Sequence, residues 1–120
     1  MDDSRNFPLL DSRTTATGWL FDVEVPSGSP FFTGHFPGEP VLPAIAQLRM
    51  LTELYRGVAT PGAEIGGVEH LRLQNPVLPG ARLEVALGRP DEQGRTAFSI
   101  RIGTRLATRG RLRWIEERSA

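Results

Sequence analysis

The chain has no cysteine and no lysine. The first absence removes any disulfide framework and any thiolate metal site. The second means that all 14 basic residues are arginines, which excludes a Schiff-base or amine-nucleophile mechanism. An excess of charge is missing as well. The 14 basic residues meet 14 acidic ones, so nothing in the balance calls for nucleic acid or an anionic membrane as a partner. No apolar run approaches the ~18 residues of a spanning helix. The acidic start "MDDSRNFPLL" lacks the basic and apolar regions of a secretory signal. Internal repeats and low-complexity tracts are not seen. The expectation is one globular domain of 120 residues in a cytoplasmic setting, with residues 1–16 as an N-terminal extension.

What is present is a clear alternation of hydrophobic and polar residues. In "TGWLFDVEV", Trp19, Phe21, Val23 and Val25 share one face and Leu20, Asp22 and Glu24 the other, as in a half-buried strand. "PSGSP" breaks it, and a loop carrying His35 among prolines and glycines follows. A helix comes next. Pro43 suits its first position, where the missing N–H would have no partner. Ile45, Leu48, Leu51, Leu54, Tyr55 and Val58 step by three and four, and Gly57 and Pro61 mark the end. The polar residues Arg49, Thr52, Glu53 and Arg56 form only a narrow stripe, so the helix is expected to be wrapped on most sides. The remainder reads as strands, with Leu83, Val85 and Leu87, then Phe98, Ile100 and Ile102, then Leu112 and Trp114 at alternate positions. One strand, one helix and a meander give an α+β class in which a sheet curls around the helix.

The string "GHFPGEPVLP" resembles the active-site segment of the hotdog-fold (3R)-hydroxyacyl-(acyl carrier protein) dehydratases of fatty acid synthesis. Leu42, Pro43, Gln47 and Leu48 add the "LP…QL" flavour of their aryl-polyene relatives. A second block, "GVEHLRLQNPVLPGARLEV", and the later "LATRGRL" agree in the same order, so the resemblance runs from Trp19 to Trp114. It implies a hotdog fold, an antiparallel sheet around one long central helix. It also implies a homodimer with a continuous sheet, an acyl tunnel at the interface, no cofactor, and a substrate carried on the phosphopantetheine of an acyl carrier protein. His35 would be the base that removes the α-proton of a 3-hydroxyacyl thioester, with Phe36 and Pro43 lining the substrate. Stabilising the enolate needs donors at the carbonyl oxygen. The helix N-terminus would supply them through the Ala44 N–H, because Pro43 has none.

Two departures from the family pattern stand out. The family's acid, a carboxylate contributed by the partner chain, lies fourteen positions after the histidine, and Arg49 occupies that place here. A guanidinium stays protonated and cannot serve as a neutral acid. It would also weaken a nearby imidazole as a base. Ala44 stands where the family has glycine, keeping the N–H but narrowing the approach. Three resolutions are open. Glu53, four residues on, is a displaced acid or merely the ion-pair partner of Arg49. Alternatively, the chain pairs with a homologous dehydratase that lends the carboxylate, leaving this subunit catalytically impaired alone. In the third, Arg49 binds a carboxylate or phosphate on a different acyl substrate. A hotdog thioesterase using Glu53 is a further alternative.

His70 lacks the setting of His35 and reads as a surface or packing residue, and no ligand spacing with Glu69 or Glu53 supports a metal site. Arg109, Arg111 and Arg113, with Arg105 near the strand's start, form a ladder on one face of the last strand. It is either a solvated outer face or a docking surface for an acidic carrier protein.

Overall fold

The computed structural model describes residues 7–28 and 41–116. These form six strands and one helix: β1 (Leu9–Thr14), β2 (Gly18–Glu24), α1 (Ala44–Val58), β3 (Ala63–Leu73), β4 (Arg82–Gly88), β5 (Arg95–Ile102) and β6 (Arg105–Glu116). The strands make one antiparallel sheet in the order β1-β2-β4-β5-β6-β3.

The alternation seen in the sequence sets which face is buried. Phe21, Val23, Leu83, Val85, Leu87, Phe98, Ile100 and Leu112 all point to one side and are buried there. Register lines them up: Phe21 stands opposite Val85, which stands opposite Ile100. Helix α1 covers this inner face with Ala46, Met50, Leu51, Leu54 and Tyr55. Each fully buried Leu or Met of this kind contributes about 1.5–3 kcal/mol. At the far end of the helix, Tyr55 stacks on Trp114 at 4.1 Å and meets Trp19 edge-on at 6.1 Å, tying α1 to both β6 and β2. Where β2 begins, only glycine fits, since a Cβ on Gly18 would overlap the Leu87 carbonyl oxygen of β4.

Three details differ from the sequence-based expectation. Within the supposed N-terminal extension, Leu9–Thr14 is a strand of the sheet, paired to β2. Pro43 is the N-cap rather than the first helical residue. Its φ/ψ of −69°/159° is extended, and its carbonyl accepts from the N–H groups of Ala46 and Gln47. Gly57 lies inside the helix, which runs on to Val58 before Pro61 forbids continuation. Among the described residues no helix is long and apolar enough to cross a membrane.

The helix is also less enclosed than expected in the single chain. Ile45 is 76% exposed, and Leu48 and Val58 are only half-buried. One face of α1 is open.

Candidate active site

The start of α1 is the first part of the site. Helix geometry leaves the leading N–H groups without a carbonyl inside the helix. Ala46 and Gln47 turn back to Pro43, so the amides of Ala44 and Ile45 are the ones left. No acidic residue stands in the first turn, and Pro43 supplies no side-chain cap. The positive end of the helix dipole therefore faces this spot without a carboxylate of the helix to offset it. Ala44 carries one of these two amides and is itself half-buried. Pro43 and Ala44 open into a hollow of about 260 Å³, shared with Val41, Leu73 and Asn75.

The helix start is held by one buried polar side chain. Gln47 is 3% exposed, and its Nε2 donates to the Leu42 carbonyl at 3.1 Å. The buried Thr108 hydroxyl of β6 donates to its Oε1. Gln47 thus joins the segment before the helix to the sheet beneath it. A glutamine inside an otherwise apolar helix stripe was the signal for this brace, although Thr108 could not be assigned as its partner from the sequence.

The second part lies elsewhere on the helix. A groove of about 790 Å³ runs along the open face of α1 beside β3, lined by Ile45, Leu48, Arg49, Thr52, Glu53 and Ile65, among others. Arg49 Nε stands 3.6 Å from Glu53 Oε2, the arginine side chain largely exposed and the glutamate mostly covered. Nearby, Arg56 Nε donates to the Ala63 carbonyl at 2.7 Å and pairs with Glu64 at 3.8 Å. At about 100° per residue, Ala44 and Arg49 point roughly 140° apart around the helix. The structure accordingly places Ala44 and Pro43 in one hollow and Arg49 and Glu53 in another. Among the described residues the two hollows share no lining residue.

His35 and Phe36 lie outside the described residues. His70 is exposed on β3. Among the described residues no group of three or more His, Cys, Asp or Glu is arranged to hold a metal ion. Arg109, Arg111 and Arg113 are exposed on the outer side of β6, opposite to the face that α1 covers. The ladder and the groove are on different sides of the sheet.

The solved dehydratase heterocomplex ApeI:P from Xenorhabdus doucetiae superposes with a TM-score of 0.82 at 20% identity, over 92% of this chain and 98% of that one. An uncharacterized protein from Erwinia carotovora subsp. atroseptica superposes with a TM-score of 0.76 at 25% identity, over 92% of this chain and 96% of the other. The antiparallel sheet with one helix is the hotdog fold of the dehydratase heterocomplex. The 3-hydroxyacyl-(acyl-carrier-protein) dehydratase FabZ of Haemophilus influenzae (strain PittEE) is 34% identical over 91 residues, covering 68% of this chain and 62% of the relative. The chain thus spans somewhat less than two thirds of that relative's length. Residues 11–111 match the ApeI-like family, described as ApeI dehydratase, and the chain belongs to that family.

Proposed function

We propose that this chain is the histidine-bearing subunit of a dehydratase that acts on 3-hydroxyacyl thioesters of acyl carrier protein, and that a homologous chain completes its site. In this reading the Ala44 amide and the positive end of α1 hold the thioester oxygen, and the His35 imidazole takes the α-proton. The 3-hydroxyl leaves as water with a proton from a carboxylic acid, and a 2,3-unsaturated thioester remains. The acid comes from the facing helix of the second chain. No cofactor enters these steps.

The observation that carries the reading is the position of Arg49. It stands in the groove on the open face of α1, about 140° around the helix from Ala44, where it would face the site of a partner rather than its own. As a permanent cation it cannot donate the proton, so two copies of this chain alone would lack an acid at that position. Pairing with a different dehydratase chain restores it. The dehydratase heterocomplex among the structural neighbours is consistent with such an arrangement. The exposed Ile45 and the half-buried Leu48 and Ile65 along the groove give a second chain apolar surface to cover.

The test is dehydration followed by mass, using a 3-hydroxyacyl carrier protein. The purified chain alone should show turnover at least ~10²-fold below a mixture with a homologous dehydratase carrying the helix acid. His35→Ala in this chain should remove the gain from mixing, and Arg49→Glu should raise the activity of the chain alone. Full activity of the chain alone, abolished by Glu53→Gln, would replace the composite site with the displaced-acid alternative. Hydrolysis of the thioester instead of loss of water would make it a thioesterase.

A further inference from the structure

We infer that the outer face of the sheet holds a separate binding site for a phosphate group, formed by His70, Arg109 and Arg111 around a hollow of about 450 Å³. It lies on the side of the sheet away from α1 and does not depend on the proposed reaction. The hollow exists because its floor is made of small groups. Ala97 offers one methyl, and Phe98 and Gly110, paired in register, turn inward and show mainly backbone to the outer side. Arg109 and Arg111 of β6 rise on the same side, two residues apart, as the pleat requires.

The charges around it are not balanced locally. Arg109 stands directly opposite Arg72 on β3, a like-charge pair that costs stability rather than adding to it. The carboxylate opposite Arg111 is Glu69, but Glu69 is taken by Arg95, whose Nε lies 2.8 Å from its Oε1. That hydrogen bond is the main cause that holds the Glu69 carboxyl below its ordinary range; desolvation opposes it, and the charges of Arg95, His70 and Arg113 act in the same sense as the bond. Arg113 is engaged too, donating to the Gly66 carbonyl at 2.7 Å. The side chains of Arg109 and Arg111, in contrast, make no hydrogen bond or ion pair among the described residues. Arg111 only helps to lower the more distant Asp91 carboxyl, whose main cause is the Arg95 backbone N–H.

Backbone geometry supplies the second, independent sign. His70 has a φ of +55°, in the left-handed region that a histidine enters at a cost. It sits where the pairing of β3 with β6 slips between Glu69 and Arg72, so a bulge re-aims this side chain beside the two arginines. Strain of this sort is found where a side chain has been placed for a task. Two guanidinium forks and one imidazole over a small hollow suit the oxygens of a phosphate group, which accept several charge-assisted hydrogen bonds at once. The group is carried by a small molecule, because a hollow of about 450 Å³ has the size of a small-ligand pocket and takes a phosphate together with a modest organic substituent.

The experiment titrates inorganic phosphate and dimethyl phosphate into the full chain at constant ionic strength, following backbone and arginine side-chain NMR signals. Inorganic phosphate should shift Ala97, Gly110 and His70 along saturable curves. Arg109→Ala and Arg111→Ala should each weaken binding on the order of fivefold to tenfold. His70→Asn, which tolerates the left-handed backbone, should weaken it by a smaller factor, and Arg82→Ala on β4 should leave it unchanged. Saturation by dimethyl phosphate as well would extend the site to phosphodiesters, whereas saturation by inorganic phosphate alone would restrict it to monoesters or the free ion. Shifts that follow sodium chloride equally well, or an Arg82→Ala loss as large as that of Arg111→Ala, would overturn the site.

Discussion

The two faces of helix α1 are built on opposite principles. Toward the sheet it presents Ala46, Met50, Leu51 and Leu54, all buried, with one glutamine whose amide is bonded at both ends. Toward the open groove it presents an exposed isoleucine, a threonine and an arginine paired to a glutamate across one turn. The first face is explained by folding alone, since every group on it loses contact with water and finds a partner. The second is not. An isoleucine that is 76% exposed adds little to the stability of one chain, and an i, i+4 ion pair whose arginine is largely exposed adds a few tenths of a kcal/mol. Residues that stability does not explain are where a partner or a substrate should be sought.

Substitutions on the two faces should therefore separate cleanly. The largest effect belongs to Leu54→Ala, which removes a side chain 2% exposed in the centre of the core. It should cost about 2–5 kcal/mol in urea unfolding. A smaller loss would mean that the sheet closes over the space. Next is the brace. Gln47→Leu leaves the Thr108 hydroxyl and the Leu42 carbonyl unpaired in a buried place, and about 1–3 kcal/mol should be lost. Combining it with Thr108→Val should cost less than the sum of the single changes, because the second removes a group already orphaned. Additive losses in that cycle would show that the hydroxyl–amide contact is not a coupling. The smallest effect is expected from Arg49→Ala, within about 0.5 kcal/mol of the parent in the same unfolding assay. A loss comparable to that of Gln47→Leu would erase the distinction between the faces.

Much of this was legible beforehand, and the reasons are local. Alternation of period two marked the buried sides of β2, β4, β5 and β6 because each has one face on the core and one in water. The spacing of Arg49 and Glu53 offered an ion pair as one of two readings of Glu53, since residues four apart meet on any α-helix, and the structure shows that contact. Strand β1 escaped notice for a physical reason. "LLDSRT" is an edge strand almost wholly exposed, held by backbone hydrogen bonds that leave no hydrophobic pattern. The bulge at His70 escaped for another, as nothing in "VEHLRL" says that the pairing with β6 slips there. The composition of the arginine ladder was plain, but which arginine side chains were engaged and which had no hydrogen bond or ion pair among the described residues was not.

The amino-acid order by itself determined the class of the molecule, one helix among antiparallel strands. It also determined the chemistry absent from the helix, because a guanidinium at position 49 is a cation in any fold. Only the tertiary structure decided that Ala44 and Arg49 serve different hollows, that Gln47 reaches Thr108 on a strand sixty-one residues away, and that Arg109 and Arg111 stand beside a strained histidine. Periodicity reports which way a side chain points from its own element. Which other element it meets there depends on how the sheet is ordered and where its pairing slips, and those are properties of the assembled chain.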